Sequence, residues 1–287
     1  MIPPSFEYYA PRSIGEAVSL LARLGDARLL AGGHSLLPMM KLRFAQPEHL
    51  IDLGRIADLR GIREEGGSLL IGAMTTEAEL LASSLVRNRV PLLAEGAASI
   101  ADPQVRYKGT IGGDISHGDP GNDHPALMIA LDASFVLTGA KGQRTVKADG
   151  YFLGLYSTQL APDEILTQIR IPLPAAGSGW SYQKLKRKTG DFATAATAVL
   201  LEMKGANVAR VAIALTNVAP TALKARAAEA ALIGKPLNEA SLSEAARQAM
   251  SICKPAADQR GDAEYKIAMC GEMTRRALLV AAARAKG

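Results

Sequence analysis

The chain predicts an α+β fold arranged as three consecutive lobes, and three observations carry that prediction. A capped amphipathic helix alternates with short apolar runs over residues 1–53, the pattern of a small α/β lobe. Strand-like segments at Leu69–Ile71, Phe135–Leu137 and Ile165–Ile171 are spaced by helical and glycine-rich sequence over residues 54–177. Strand candidates in succession then give way to alanine-rich helical sequence over residues 178–287. With 287 residues, 48% of them hydrophobic and 21% charged, the chain has ample material for such cores.

In chain order, Ser13 and Glu16 form a capping-box pattern ahead of a helix whose Ala17, Leu21 and Leu24 share one face, with Gly25 as its stop. A strand at Arg28–Leu30 runs into Ala31-Gly32-Gly33-His34-Ser35. A short helix over Leu36–Leu42 and a strand over Leu50–Leu53 follow. Gly66-Gly67 marks a turn before the strand at Leu69–Ile71. Thr76 and Glu79 repeat the capping-box pattern, and Pro91–Ile100 reads as a helix interrupted by Asp102-Pro103. The glycine-rich stretch Gly109–Gly121 separates it from the next strands. Pro172-Leu173-Pro174 and Gly177-Ser178-Gly179 close the middle lobe. The last lobe opens with strands at Trp180–Lys186, Ala193–Glu202 and Val208–Thr216, expected as a three-stranded antiparallel sheet. In the third, Val211, Ile213 and Leu215 alternate as a half-buried strand requires. Ser241 and Glu244 are expected to cap one terminal helix, and Asp262–Ala283 forms a longer one.

Composition excludes several functions. Thirty-three basic residues against 28 acidic ones leave a scattered excess, suited to an anionic cofactor or partner but not to nucleic acid. The chain opens without a basic segment leading into an apolar one and has no apolar run long enough to span a bilayer, so a cytoplasmic protein is expected. Cys253 and Cys270 cannot supply the four thiolates of an iron–sulfur cluster and read as buried, reduced residues. His34, His49, His117 and His124 include no compact helical pair, so no metal site is expected.

Two glycine motifs dominate the chemistry. Ala31-Gly32-Gly33-His34-Ser35 lies between a strand and a helix. Adjacent glycines there allow a tight turn, expose amide hydrogens and admit a phosphate, with the Ser35 hydroxyl as a further donor. Thr110-Ile111-Gly112-Gly113-Asp114 is expected to present a second pair of unobstructed amides. Together they suit the two phosphates of a dinucleotide. Neither the Gly-x-Gly-x-x-Gly fingerprint nor a P-loop occurs, which disfavours a Rossmann site or a P-loop kinase.

These motifs, followed by Gly118-Asp119-Pro120-Gly121-Asn122-Asp123, resemble the flavin subunit of the xanthine oxidase, or molybdenum hydroxylase, family. That family belongs to the wider vanillyl-alcohol-oxidase (PCMH) type of FAD fold. The stretch Tyr182–Ala193, the segment Asp102-Pro103-Gln104-Val105-Arg106 and the overall length narrow the resemblance to the medium subunits of aerobic carbon monoxide dehydrogenases, from end to end of the chain. The resemblance implies noncovalent FAD, its pyrophosphate and ribityl atoms held by Ala31, Gly32, Gly33, His34, Ser35, Thr110, Ile111, Gly112, Gly113 and Asp114. It implies a cofactor hydroxyl on Asp123, apolar packing by Ile100 and Leu166, a contact from Lys184, and Phe192 near the isoalloxazine. Asp114 departs from the family, where asparagine is usual; a carboxylate there would repel the pyrophosphate unless it points elsewhere. Phe192 stands where close relatives often carry tyrosine, and so lacks a hydroxyl. No residue of this chain is expected to be catalytic or to bind metal. The resemblance places a molybdenum–copper–pterin centre in a large partner subunit and [2Fe-2S] clusters in a small one, within a dimer of heterotrimers. An external acceptor, expected to be a quinone, takes the electrons, with the complex cytoplasmic or associated with the inner face of the membrane.

Local sequence leaves alternatives open. Gly32-Gly33 also fits a plain strand-to-helix turn, Asp123 a helix N-cap before Pro125-Ala126-Leu127, and Lys184 an exposed strand lysine. Ile100, Leu166 and Phe192 also fit a simple core. At the level of function, the alternatives are the flavin subunit of another molybdenum hydroxylase (for a purine, an N-heterocycle or an aromatic thioester), a standalone flavin oxidoreductase with flavin attached at His34, and an adaptor without cofactor.

Overall fold

Ser13 opens the first helix by accepting a hydrogen bond from the Glu16 amide. The Glu16 carboxylate reaches one residue further back than a capping box requires and accepts from the Arg12 amide at 2.8 Å. The computed structural model describes residues 2–286; Met1 and Gly287, the ends of the first and last expected lobes, lie outside the described residues.

The N-terminal stretch contains β1 (Glu7–Tyr9), α1 (Ile14–Arg23), β2 (Ala27–Leu30), α2 (Leu36–Lys41) and β3 (His49–Asp52). These strands pair in parallel in the order β1-β3-β2. Parallel neighbours need crossover connections, which α1 and α2 supply. Three-residue β1 was not expected from sequence and borrows its register from Leu50 and its neighbours in β3.

The middle stretch opens with the hairpin β4 (Ile62–Glu65) and β5 (Ser68–Gly72), whose turn places Gly66 and Gly67 at φ +56° and +74°. Six helices follow: α3 (Glu77–Ala82), α4 (Ser84–Arg89), α5 (Pro91–Ser99), α6 (Pro103–Arg106), α7 (Ile111–His117) and α8 (His124–Ala130). Thr76 and Glu79 complete the predicted capping box of α3. Next come β6 (Ser134–Gly139), β7 (Gly142–Lys147), the small hairpin β8 (Phe152–Gly154) and β9 (Ser157–Thr158), and β10 (Glu164–Pro172). An antiparallel sheet of order β4-β5-β10-β6-β7 results.

The C-terminal stretch holds β11 (Gly179–Leu185), β12 (Ala195–Lys204), β13 (Asn207–Thr216) and β14 (Leu223–Lys224), then α9 (Arg226–Leu232), α10 (Glu239–Ser251) and α11 (Ala263–Arg284). Its sheet has four strands rather than the expected three, because Leu223 and Lys224 pair with Leu215 and Ala214. Two residues are too few to show a period. The cap of α10 is Asn238, with Ser241 at the third helical position reciprocating it, in place of the expected Ser241–Glu244 pair.

One large apolar core spans β5, β6, β10, α5, α7 and α8 and continues into Tyr182, Ala196, Ala198 and Ala214 of the last sheet. The break near residue 177 therefore separates sheets, not cores. A second core lies beneath α9, α10 and α11, and a third holds α1 against β3.

Candidate functional site

β2 ends at Leu30, and the chain turns through Ala31–Ser35 into α2 at the carboxyl end of a parallel sheet. Connections at that end are where open parallel sheets receive ligands. Gly33 adopts φ +76°, which an L side chain resists. A Cβ on Gly32 would lie 2.1 Å from the Lys108 carbonyl oxygen, so only glycine lets this turn rest against the chain entering α7. The amides of Gly33, His34 and Ser35 find no backbone acceptor among the described residues, and the Ser35 hydroxyl makes no capping bond to α2. His34 and Ser35 are exposed. The turn thus offers consecutive uncommitted donors.

Thr110–Asp114 differs, and the expectation of unobstructed amides there is corrected. The segment is the first turn of a helix, capped by the Thr110 hydroxyl, which accepts from the Gly113 amide. Ile111 donates to the Thr75 carbonyl, Gly112 to the Ala73 carbonyl and Asp114 to the Thr110 carbonyl. Gly112 is buried against Ala73, whose Cβ and carbonyl oxygen would stand 2.5 and 2.6 Å from an added Cβ. A Cβ on Gly113 would sit 3.5 Å from that of Ala31, so the two motifs lie side by side. A cleft of about 620 Å³ opens beside them, lined by Gly32, Thr76, Lys108 and Thr110 with Arg60 and Glu79.

Beneath α7 lies a buried polar floor. Nε2 of His124, fully buried, is 2.9 Å from both carboxylate oxygens of Glu77. Burial alone would lower the His124 pKa; the adjoining Glu77 charge and hydrogen bond outweigh it and raise the value to about 9. Lys184 donates to Asp123 Oδ2 at 2.7 Å and to the Ser99 carbonyl at 3.3 Å. Tyr182, two residues earlier on the same strand face, donates to Asp123 Oδ1; its burial, and then the Asp123 charge, push the phenol well above its ordinary range. The Asn122 carboxamide donates to the Asp114 carbonyl at 3.0 Å. Asp114 turns its carboxyl inward, where Oδ2 is enclosed without a hydrogen-bond partner. Burial first, then the nearby acids Glu77, Asp123 and Asp119, raise its pKa to about 7 against the opposing His124 charge.

Lys184 is therefore not an exposed strand lysine: its side chain is 4% exposed. Asp123 occupies the N-cap position of α8 but makes no capping bond with its side chain. Ile100 ends α5, and its carbonyl accepts from the Arg106 guanidinium at 2.7 Å. Leu166 is 4% exposed within the large core, next to the bulge between Leu166 and Gln168. Phe192 is 45% exposed, beside Gly121 and beneath the Arg260 guanidinium, which is itself held by Asp191. Sequence reasoning missed Tyr182 and the Glu77–His124 pair. The two-residue period of β11 places Tyr182 beside Lys184, whereas nothing local links Glu77 to a histidine 47 positions on.

Residues 4–174 match the family described as the FAD binding domain in molybdopterin dehydrogenase, and residues 180–281 the one described as the CO dehydrogenase flavoprotein C-terminal domain. The chain is 62% identical over 285 residues to the carbon monoxide dehydrogenase medium chain of Hydrogenophaga pseudoflava, covering 99% of each. It is 54% identical over 287 residues to the corresponding chain of Afipia carboxidovorans, covering 100% of both. A solved carbon monoxide dehydrogenase from Hydrogenophaga pseudoflava, lacking the molybdenum-pyranopterin moiety of its cofactor, contains a chain that superimposes with a TM-score of 0.99 at 64% identity, covering 100% of each chain.

Proposed function

This chain belongs to the family of FAD-binding medium subunits of molybdopterin dehydrogenases, and from that premise we propose that it is the flavin-carrying electron-transfer subunit of an aerobic carbon monoxide dehydrogenase. The observation that carries the reading is the Ala31–Ser35 turn, whose uncommitted amides and free hydroxyl have the donor set a diphosphate requires. FAD, when bound, supplies the redox chemistry, and the protein supplies position and electrostatics.

The chain's own residues divide that work. Gly33, His34 and Ser35 would donate toward the pyrophosphate, while Gly113 lets α7 lie against Ala31 of the same turn and Gly112 seats it on Ala73. Asp123 has both oxygens engaged, yet an ionised carboxylate has about four lone-pair sites and can accept from a cofactor hydroxyl as well. Lys184 uses two of an ammonium's three donors on protein oxygens, leaving one for the cofactor. Phe192 presents a half-exposed ring for stacking, and Ile100 and Leu166 close the apolar side.

In the assembly proposed, carbon monoxide is oxidised at a molybdenum–copper centre in a large subunit. Electrons reach this chain from a small iron–sulfur subunit and leave to an external acceptor, a quinone. The complex is a dimer of heterotrimers in the cytoplasm, or at the inner face of the membrane. Among the described residues no helix is long and apolar enough to cross a membrane.

Copurification from the host, with the absorption spectrum and the identity of every accompanying chain, tests this. Flavin absorption together with iron–sulfur and molybdenum–copper partners supports it. A large subunit without copper moves the substrate to another molybdenum hydroxylase. A yellow chain isolated alone and turning over a small substrate overturns the electron-transfer role.

A further inference from the structure

The buried floor beneath α7 contains an imbalance. Three carboxyl groups, Glu77, Asp114 and Asp123, meet two bases, His124 and Lys184. Each base faces another acid: His124 turns Nε2 to Glu77, its Nδ1 having no partner among the described residues, and Lys184 turns to Asp123, which Tyr182 supports as well. Among the described residues Asp114 Oδ2 receives no donor hydrogen and no ion pair to Asp114 is formed. Every packed element presents the wrong sign or a pre-empted charge. α3 offers Glu77; the start of α8 offers Asp123 and His124; the turn before it offers Asp119 and Asn122, whose amide is spent on the Asp114 backbone. β11 offers Lys184 and Tyr182, both committed to Asp123, and on its own helix His117 is pushed toward neutrality by burial, against the Asp119 charge. Asp114 as a whole is half-buried, but an ionised carboxylate with one oxygen enclosed and unpartnered is disfavoured, and such a group tends to take up a proton instead.

We propose that Asp114 is held as the neutral acid in the working protein, an uncharged floor under the second glycine motif, and that FAD affinity depends on that proton. The inference rests on the flavin-subunit reading. Asp114 follows Gly113, which lies against Ala31 of the proposed phosphate-binding turn, so a charge released at Asp114 lies one residue behind the segment that would face a dianionic pyrophosphate. The neutral carboxyl also keeps the three-to-two floor electrically balanced, which holds α7 and its glycines in register with the turn. This makes Asp114 a positioning residue that acts through the Gly112–Gly113 segment. The same position raises its pKa to about 7, so the proton is lost within the physiological range. By linkage, cofactor binding strengthens the proton's hold and proton loss weakens the cofactor's.

The test uses the assembly as purified from its host, stripped of FAD and titrated with FAD by flavin fluorescence at pH 6, 7 and 8. The wild-type dissociation constant is expected to rise roughly three- to tenfold from pH 6 to pH 8, the effect of one added charge near the phosphates. Asp114→Asn, which cannot ionise, is expected to bind with an affinity flat to within about twofold across the same range. Infrared difference spectra of the wild-type full chain, acid minus alkaline, are expected to show a protonated carboxyl band that Asp114→Asn lacks; this arm needs neither FAD nor partners. A wild-type affinity independent of pH, an equal slope in both proteins, or the absence of that carboxyl band at pH 6 overturns the proposal. Failure of both proteins to bind FAD at any pH overturns it together with the flavin-subunit reading, which separates the two failures.

Discussion

The two glycine motifs share a sequence pattern and do opposite things. At Ala31–Ser35 the glycines open the backbone: Gly33 takes a left-handed conformation and the next amides stay free. At Thr110–Asp114 they close it: Gly112 seats a helix on Ala73 and every amide from Ile111 to Asp114 has an acceptor. One motif leaves its donors free and the other brings α7 up to it. A Gly-Gly pair signals close approach, and only the surroundings say whether a ligand or another part of the protein approaches.

Substitutions can break or sharpen this contrast. The largest effect is expected beneath the closed motif. Lys184→Met leaves the Asp123 carboxylate buried without its cation and should lower unfolding stability by about 3–5 kcal/mol in denaturant titration. The pH dependence of stability comes next. Asp114 and His124 both have folded pKa values raised above their unfolded ones, to about 7 and about 9. Their stabilisation is complete below the unfolded values and is lost as pH rises, between about 4 and 7 for Asp114 and between about 6.5 and 9 for His124. Unfolding free energy should fall as pH rises through the first window by up to about 4 kcal/mol, read as a falling thermal midpoint, and Asp114→Asn should remove that part of the slope.

Gly112→Ala should cost about 1–3 kcal/mol of stability through its clash with Ala73, whether or not FAD is present. Gly33→Ala should cost about 1 kcal/mol or somewhat more through its left-handed backbone. Its main signature should be a raised FAD dissociation constant, since the strained residue carries one of the free amides. An equal ratio of stability loss to affinity loss in these two variants would erase the distinction between the motifs. Ser35→Ala should be the mildest, with unfolding unchanged to within about 0.5 kcal/mol and only FAD affinity reduced, because its hydroxyl has no capping role.

Much of the fold was legible because its signals are local. Ser13 and Thr76 cap the helices they were expected to cap, since an N-cap bond spans three residues. Val211, Ile213 and Leu215 in β13 are all buried, as their two-residue period requires. What went unread was short or non-local. β1 and β14 have three and two residues and exist through their partners. Asn238 displaced Ser241 as the cap of α10 because both residues can cap and only the path of the chain chooses between them. In the site, the Ala31–Ser35 turn leaves its amides without backbone acceptors among the described residues, Lys184 is buried against local expectation, and Leu166 sits in the core.

By itself the sequence determined the elements with strong local signals, the turn that offers free amides, and the family whose motifs recur along the whole length. Hydrogen bonds within a few residues and hydrophobic periods are written in adjacent positions. The tertiary structure alone decided which amides remain free and which acids pair with a base. The Gly112 amide is spent because Ala73 stands beside it, and Asp114 lacks a counter-charge because Glu77 and Asp123 have taken both bases. Desolvation and hydrogen-bond satisfaction depend on groups distant in sequence, and those meet only once the chain has folded.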